Sequence, residues 1–121
     1  MKRELMVSQV KPRLSDLAWA AAFLEGEGTF GYSGNRVTQV EATQLNPEPL
    51  LILQALLGGR IGPNRQYARW YVAGERARGI MLTLYLFMSQ RRKLQIRNAL
   101  NATKAKTHYL WQTKLNAEPE E

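Results

Sequence analysis

The first sustained pattern along the chain is apolar. Leu17-Ala18-Trp19-Ala20-Ala21-Ala22-Phe23-Leu24 runs for eight residues without a polar position, behind Ser15 and Asp16. Ser15 suits a helix N-cap and Asp16 the acidic first turn, so a helix is predicted from Asp16 to about Glu25, ended by Gly26 and Gly28. Thr29–Tyr32 reads as a short strand, Ser33-Gly34-Asn35 as a turn, and Arg36–Gln44 as the returning strand. In that strand Val40 and Ala42 face one side, and Gln39, Glu41 and Thr43 the other. Asn46-Pro47 opens a second helix, Pro49–Leu57, with Leu50, Leu53 and Leu57 on one stripe and Gly58-Gly59 as its stop. Arg60–Pro63 and Tyr67–Ala73 form a second strand pair around Asn64, Arg65 and Gln66. Trp70 and Val72 face the core there, and Arg69 and Tyr71 face outward. A third helix is predicted from Glu75 to Phe87, a fourth from Gln90 to Lys104, and a last helical turn or two over His108–Leu115. The order helix, hairpin, helix, hairpin, helices is an α+β layout: four antiparallel strands with the helices on one face.

At 121 residues the chain is expected to be one domain, 1–121, with a basic arm at 1–13 and a frayed acidic tail at 116–121. There is no cysteine, which excludes a disulfide scaffold, a thiol nucleophile and cysteine-held metal. His108 is the only histidine, which excludes multi-histidine metal sites and speaks against a histidine-centred triad. Eight apolar residues fall far short of a membrane span, so no membrane is expected and the chain is expected to be soluble and intracellular.

Charge changes the picture most. The net charge is +7, and it is unevenly spread: residues 60–114 hold twelve Lys+Arg against the single acid Glu75. Such a block, rich in arginine, calls for a polyanionic partner, nucleic acid first, with a basic surface kept for solubility as the plain alternative.

The first helix is apolar on every side, whereas a helix on the surface of a small monomer shows a polar face. Its sheet covers one side. A second copy of the chain, packed through Leu17, Ala18, Ala21, Ala22 and Glu25, is the economical cover for the other; a central helix inside one monomer is the alternative. Glu25 and Glu27 sit at its C-terminal end, where backbone carbonyls already make the potential negative. Carboxylates and bare carbonyls gathered in one place suit a hard divalent cation such as Mg²⁺, and a solvated glutamate after a glycine-ended helix is the bland reading.

Ala20-Ala21-Ala22-Phe23-Leu24-Glu25-Gly26-Glu27-Gly28-Thr29-Phe30 resembles the signature of the LAGLIDADG homing endonucleases, roughly Leu-Ala-Gly-Phe-Ile-Asp-Gly-Glu-Gly-Ser-Phe. The match is close from Phe23 to Phe30; Ala20 and Ala22 stand where Leu and Gly are usual. Thr43-Gln44, Leu56–Gly62 and Leu86–Ile96 resemble the end of the family's second strand, its helix-to-strand junction and its basic turn before the last long helix.

The resemblance implies an αββαββα fold with a saddle-shaped sheet lying on double-stranded DNA. It implies a homodimer, since single-motif members pair through their motif helices. By resemblance Glu27 is the metal-binding acid and Gly26 the position whose carbonyl helps, with Mg²⁺ or another divalent cation as cofactor. Gln44 organises water, and Arg92, or its neighbour Arg91, supports the nucleophile or the developing charge. Glu25 holds structure, and Glu48 stands where some members carry a basic residue. The outward side chains Asn35, Gln39, Glu41, Thr43, Arg65, Arg69 and Tyr71 are expected to read base edges in the major groove. The function implied is a site-specific, metal-dependent DNA endonuclease. A non-cleaving DNA-binding regulator or RNA-splicing helper on the same scaffold is the alternative.

Overall fold

Local chemistry sets where each element starts and stops. A computed structural model describes residues 12–117, with side chains as far as Thr103. Residues 1–11 of the basic arm, residues 118–121 of the tail, and the side chains of Lys104, Lys106, His108 and Lys114 lie outside the described residues.

Helix α1 spans Leu14–Glu27. Asp16 Oδ2 accepts the Arg13 backbone N–H at 3.0 Å and so satisfies one of the free donors at its start. The helix passes through Gly26 and stops at Gly28, whose N–H still donates to the Leu24 carbonyl while its backbone is already extended. Strand β1 (Gly28–Tyr32) therefore begins where the helix ends. Strand β2 (Thr38–Gln44) starts two residues later than expected, because Arg36 turns with a left-handed φ of 64°. Helix α2 (Glu48–Leu57) leads to β3 (Arg60–Asn64) and β4 (Tyr67–Ala73). Helix α3 (Glu75–Leu84) tightens into a 3₁₀ turn, Tyr85–Phe87, rather than staying α-helical to Phe87. Helix α4 runs unbroken over Gln90–Ala117. The expected break before His108 is absent because the segment holds no glycine or proline to make one.

The sheet is antiparallel in the order β1-β2-β4-β3, so the two central strands come from different hairpins. Phe30, Val40, Ala42, Trp70 and Val72 point inward and meet Leu24, Leu50, Leu53, Met81, Leu84 and Ile96 from the helices. Edge strand β3 carries Pro63 and exposed Arg60 and Asn64, which discourage pairing with another sheet. No helix among the described residues is long and apolar enough to cross a membrane.

Trp70 is the centre of this core, fully buried as expected, and its indole N–H donates to the Gly58 carbonyl at 2.8 Å. That bond draws the end of α2 tightly onto β4. Gly59, at φ 99°, has no room for a side chain: a Cβ there would lie 2.6 Å from Val72 Cγ2 and 2.9 Å from Trp70 Nε1. Gly59→Ala is therefore expected to destabilise the fold by roughly 2 kcal/mol or more, through both the positive φ and the overlap, as read by urea unfolding. Gly31→Ala, on an open position of β1, serves as the control with a much smaller effect.

Candidate functional site

Two residues apart on a helix means about 200° around it, so Glu25 and Glu27 leave α1 on opposite sides. Glu27 is exposed and accepts a hydrogen bond from Gln44 Nε2 at 3.0 Å. The hairpin register explains the meeting. Gly28 lies opposite Ala42, so Gln44 at the end of β2 comes beside the residue that precedes β1. Gln44 Nε2 also donates to the Thr43 carbonyl at 2.9 Å, which fixes the amide.

Glu25 turns the other way and caps α4. Its Oε1 accepts the Ser89 backbone N–H at 2.9 Å and its Oε2 the Ser89 hydroxyl at 2.7 Å. The Ser89 N–H, then its hydroxyl, hold the Glu25 carboxyl below the usual carboxylate range; burial opposes them, and Arg92 and Arg91 assist. Arg92 Nε–H donates to the Glu25 carbonyl at 3.0 Å and Nη1–H to Gln95 Oε1 at 2.8 Å, with the guanidinium 5.8 Å over the Phe30 ring. Burial, then the Arg91 charge, lowers the Arg92 pKa, with Glu25 opposing. Arg92 is only 7% exposed, whereas Arg91 is open to solvent. Of the two basic candidates, Arg92 clamps the end of α1 and Arg91 is the one presented outward.

The Glu27 carboxylate and the carbonyl of exposed Gly26 are oxygen donors only, the type a hard divalent cation prefers. No cluster of three or more His, Cys, Asp or Glu exists among the described residues. One chain thus offers a single carboxylate to such an ion, a donor set that fits in type and is incomplete in number.

The outward face of the sheet is polar throughout its middle. Thr29, Glu41, Tyr71 and Arg60 lie in one row across all four strands, and Thr43 sits opposite Arg69. Arg69 Nε–H donates to Glu41 Oε1 at 2.6 Å. Gln39 sits between Gly31 and Ala73, while Asn35 and Arg65 occupy the two hairpin turns rather than the strands. Thr29 and Arg60 also share this face. Alternation placed neither; only the register of Arg60 with Tyr71 and of Thr29 with Glu41 does.

The free face of α1 is narrower than its composition suggests. Ala18, Trp19 and Ala22 are exposed, and Trp19 stacks on Phe23 with ring centroids 5.4 Å apart. Leu17 is half-buried, Glu25 is turned to Ser89, and Glu48 is exposed at the start of α2. Ala21, expected at an interface, is 2% exposed and packs into the chain's own core, so its side chain is not on that face.

Ser89→Ala removes the hydroxyl that donates to Glu25 and accepts the Arg92 backbone N–H. It is expected to cost about 1 kcal/mol in urea unfolding, with Ser89→Thr close to wild type.

No protein-family model matches the chain, and no curated protein is significantly similar to it in sequence. Solved structures do match in shape. A homing endonuclease, I-CvuI, in complex with the I-CreI target in the presence of Mg with the DNA not cleaved, superposes with a TM-score of 0.58 at 17% identity, over 76% of this chain and 68% of that one. The same enzyme with its own target in the presence of Ca gives a TM-score of 0.58 at 18% identity, over 78% and 73%. The chain has a homing-endonuclease-like fold.

Proposed function

We propose that this protein is a site-specific double-stranded DNA endonuclease that works as a homodimer with a divalent cation, Mg²⁺ in the first instance. The observation that carries the proposal is the Glu27–Gln44 pair at the exposed end of a helix whose free face, Ala18, Trp19 and Ala22, is apolar. The likeness of Phe23–Phe30 to the LAGLIDADG signature supports it. So does the shared fold with an endonuclease that was solved on DNA with Mg or Ca.

In the dimer, Ala18, Trp19 and Ala22 of one α1 pack on those of the other, which brings two Glu27 carboxylates together at the two-fold axis. Glu27, with the Gly26 carbonyl, would hold the cation. When bound, such an ion would supply polarisation of the scissile phosphate and greater acidity of the attacking water. Gln44 keeps the Glu27 carboxylate aimed through its amide N–H and offers its amide oxygen to the attacking water. The water oxygen bonds to phosphorus as the bond to the leaving sugar oxygen breaks; the proton that the water gives up passes to solvent, and the sugar oxygen takes one proton from solvent. Arg91 faces the phosphate and offsets its developing charge, while Arg92 and Glu25 hold α1 and α4 in place. Gln39, Glu41, Thr43, Arg69 and Tyr71 lie along the major groove, with Asn35 and Arg65 at its flanks.

Glu27→Gln keeps the size of the side chain and removes its charge. Mg²⁺-dependent cleavage is expected to fall by orders of magnitude, while DNA affinity without metal holds or rises. Equal cleavage by wild type and Glu27→Gln would remove Glu27 from the site. A wild type that binds a defined sequence and never cuts it would select the non-cleaving alternative.

The dimer has its own test. Ala22 is exposed in one protomer, so Ala22→Glu is expected to leave the monomer folded and prevent pairing. Ala21→Glu instead buries a charge in the core and unfolds the chain. Sedimentation should show a wild-type dimer at micromolar concentration and an Ala22→Glu monomer; a wild-type monomer contradicts the proposal.

A further inference from the structure

One group on the outward sheet face is already assembled. Arg69 of β4 is bonded through Nε–H to Glu41 Oε1 of β2 at 2.6 Å. Its guanidinium carbon lies 4.3 Å over the ring of Tyr71, two residues on along the same strand. Glu41 sits opposite Tyr71, and Thr43 opposite Arg69, so the ion pair runs diagonally between the two central strands. The two side chains are 33% and 35% exposed, partly sunk in the surface they share.

The chemistry left over is specific. The bond to Glu41 uses Nε–H and one carboxylate oxygen. The two terminal amino groups of Arg69 and the second oxygen of Glu41 are the remaining donors and acceptor. Held by a carboxylate at its edge and an aromatic ring at its face, the guanidinium is fixed before any ligand arrives, which lowers the ordering cost of binding. The pair is also neutral as a unit. A neutral pair is poorly suited to a phosphate, which gains from a free positive charge and is repelled by Glu41. It is well suited to base edges, where guanine presents two acceptors and cytosine an amino donor.

We propose that Glu41 and Arg69 form one composite reader of G·C pairs in the major groove. The terminal amino groups of Arg69 donate to guanine O6 and N7, and Glu41 accepts from the N4 amino group of a neighbouring cytosine. This rests on the reading of the sheet as a DNA-binding face and names what that face recognises. Glu41 thereby trades general affinity for discrimination: it cancels a charge that would attract any duplex and refuses a base that offers no amino donor.

The experiment is selection of bound duplexes from a randomised pool, without divalent metal, followed by sequencing. It is run with wild type, Glu41→Gln, Arg69→Ala and Arg69→Lys. Wild type is expected to enrich a guanine and an adjacent cytosine in each half-site. Glu41→Gln should lose the cytosine preference while binding random duplex more tightly. Arg69→Ala and Arg69→Lys should both lose the guanine preference by about 10-fold, because lysine keeps the charge and lacks the fork. If Arg69→Lys binds and selects as wild type, and Arg69→Ala weakens all sequences alike with a salt slope smaller by about one, Arg69 touches a phosphate and the composite reader is wrong. Unchanged preference in Glu41→Gln likewise overturns it. A wild type that selects a sequence untouched by these variants sinks the pair alone; one that selects nothing sinks the site-specific reading with it.

Discussion

Helix α1 passes into strand β1 without a loop, and the site depends on that junction. It is possible because Gly28 has no side chain: a Cβ there would lie 2.8 Å from the Leu24 carbonyl oxygen and 2.8 Å from Leu24 Cδ2. With no loop to absorb rotation, the last turn of α1 sets the directions of Glu25 and Glu27 rigidly. One carboxylate is sent to Ser89 at the start of α4, the other to Gln44 at the end of β2. The acid proposed to do chemistry is therefore held by the sheet, and the acid that does not is used to anchor the helix that brings the basic turn alongside. Gly26 differs from Gly28: nothing in its own chain lies within 4 Å of where its Cβ would be. A small residue at that position is not required by the chain's own packing, and the proposed second copy supplies the reason for it.

The basic block also divides by position. Arg92 is spent on the Glu25 carbonyl, Arg76 on the Leu57 carbonyl at the end of α2, and Arg78 on the Leu100 carbonyl and Thr103. Arg76 and Arg92 place positive charge at or near helix C-termini, where the backbone is negative. Arg60, Arg65, Arg91 and Arg97 are exposed, and Arg76 stays exposed despite its bond to the Leu57 carbonyl. A local charge excess thus overstates how much of it faces a polyanion, since guanidinium groups bind carbonyls inside a fold as well as phosphates outside it.

Alternation made the sheet legible: Val40, Ala42, Trp70 and Val72 went to the core and Gln39, Glu41, Thr43, Arg69 and Tyr71 outward, because the side-chain period in a strand is two and one face is buried. The resemblance brought Glu27 and Gln44 together, although they lie far apart in the chain. What stayed hidden depended on which side of a helix the rest of the molecule covers. Ala21 and Ala22 are alike in sequence, yet one is buried and the other is free. Arg91 and Arg92 differ by one position, and the end of α1 takes only the second. In a run that is apolar all round, or basic all round, the helical period has nothing to contrast with.

Incubation of the wild-type protein with randomised duplex DNA and Mg²⁺, with sequencing of every newly created end, tests the central claim most directly. The account predicts reproducible ends at one motif with two-fold symmetry, absent when a chelator replaces the metal. Ends scattered at random, or no ends at all under conditions where the protein binds duplex selectively, would contradict it.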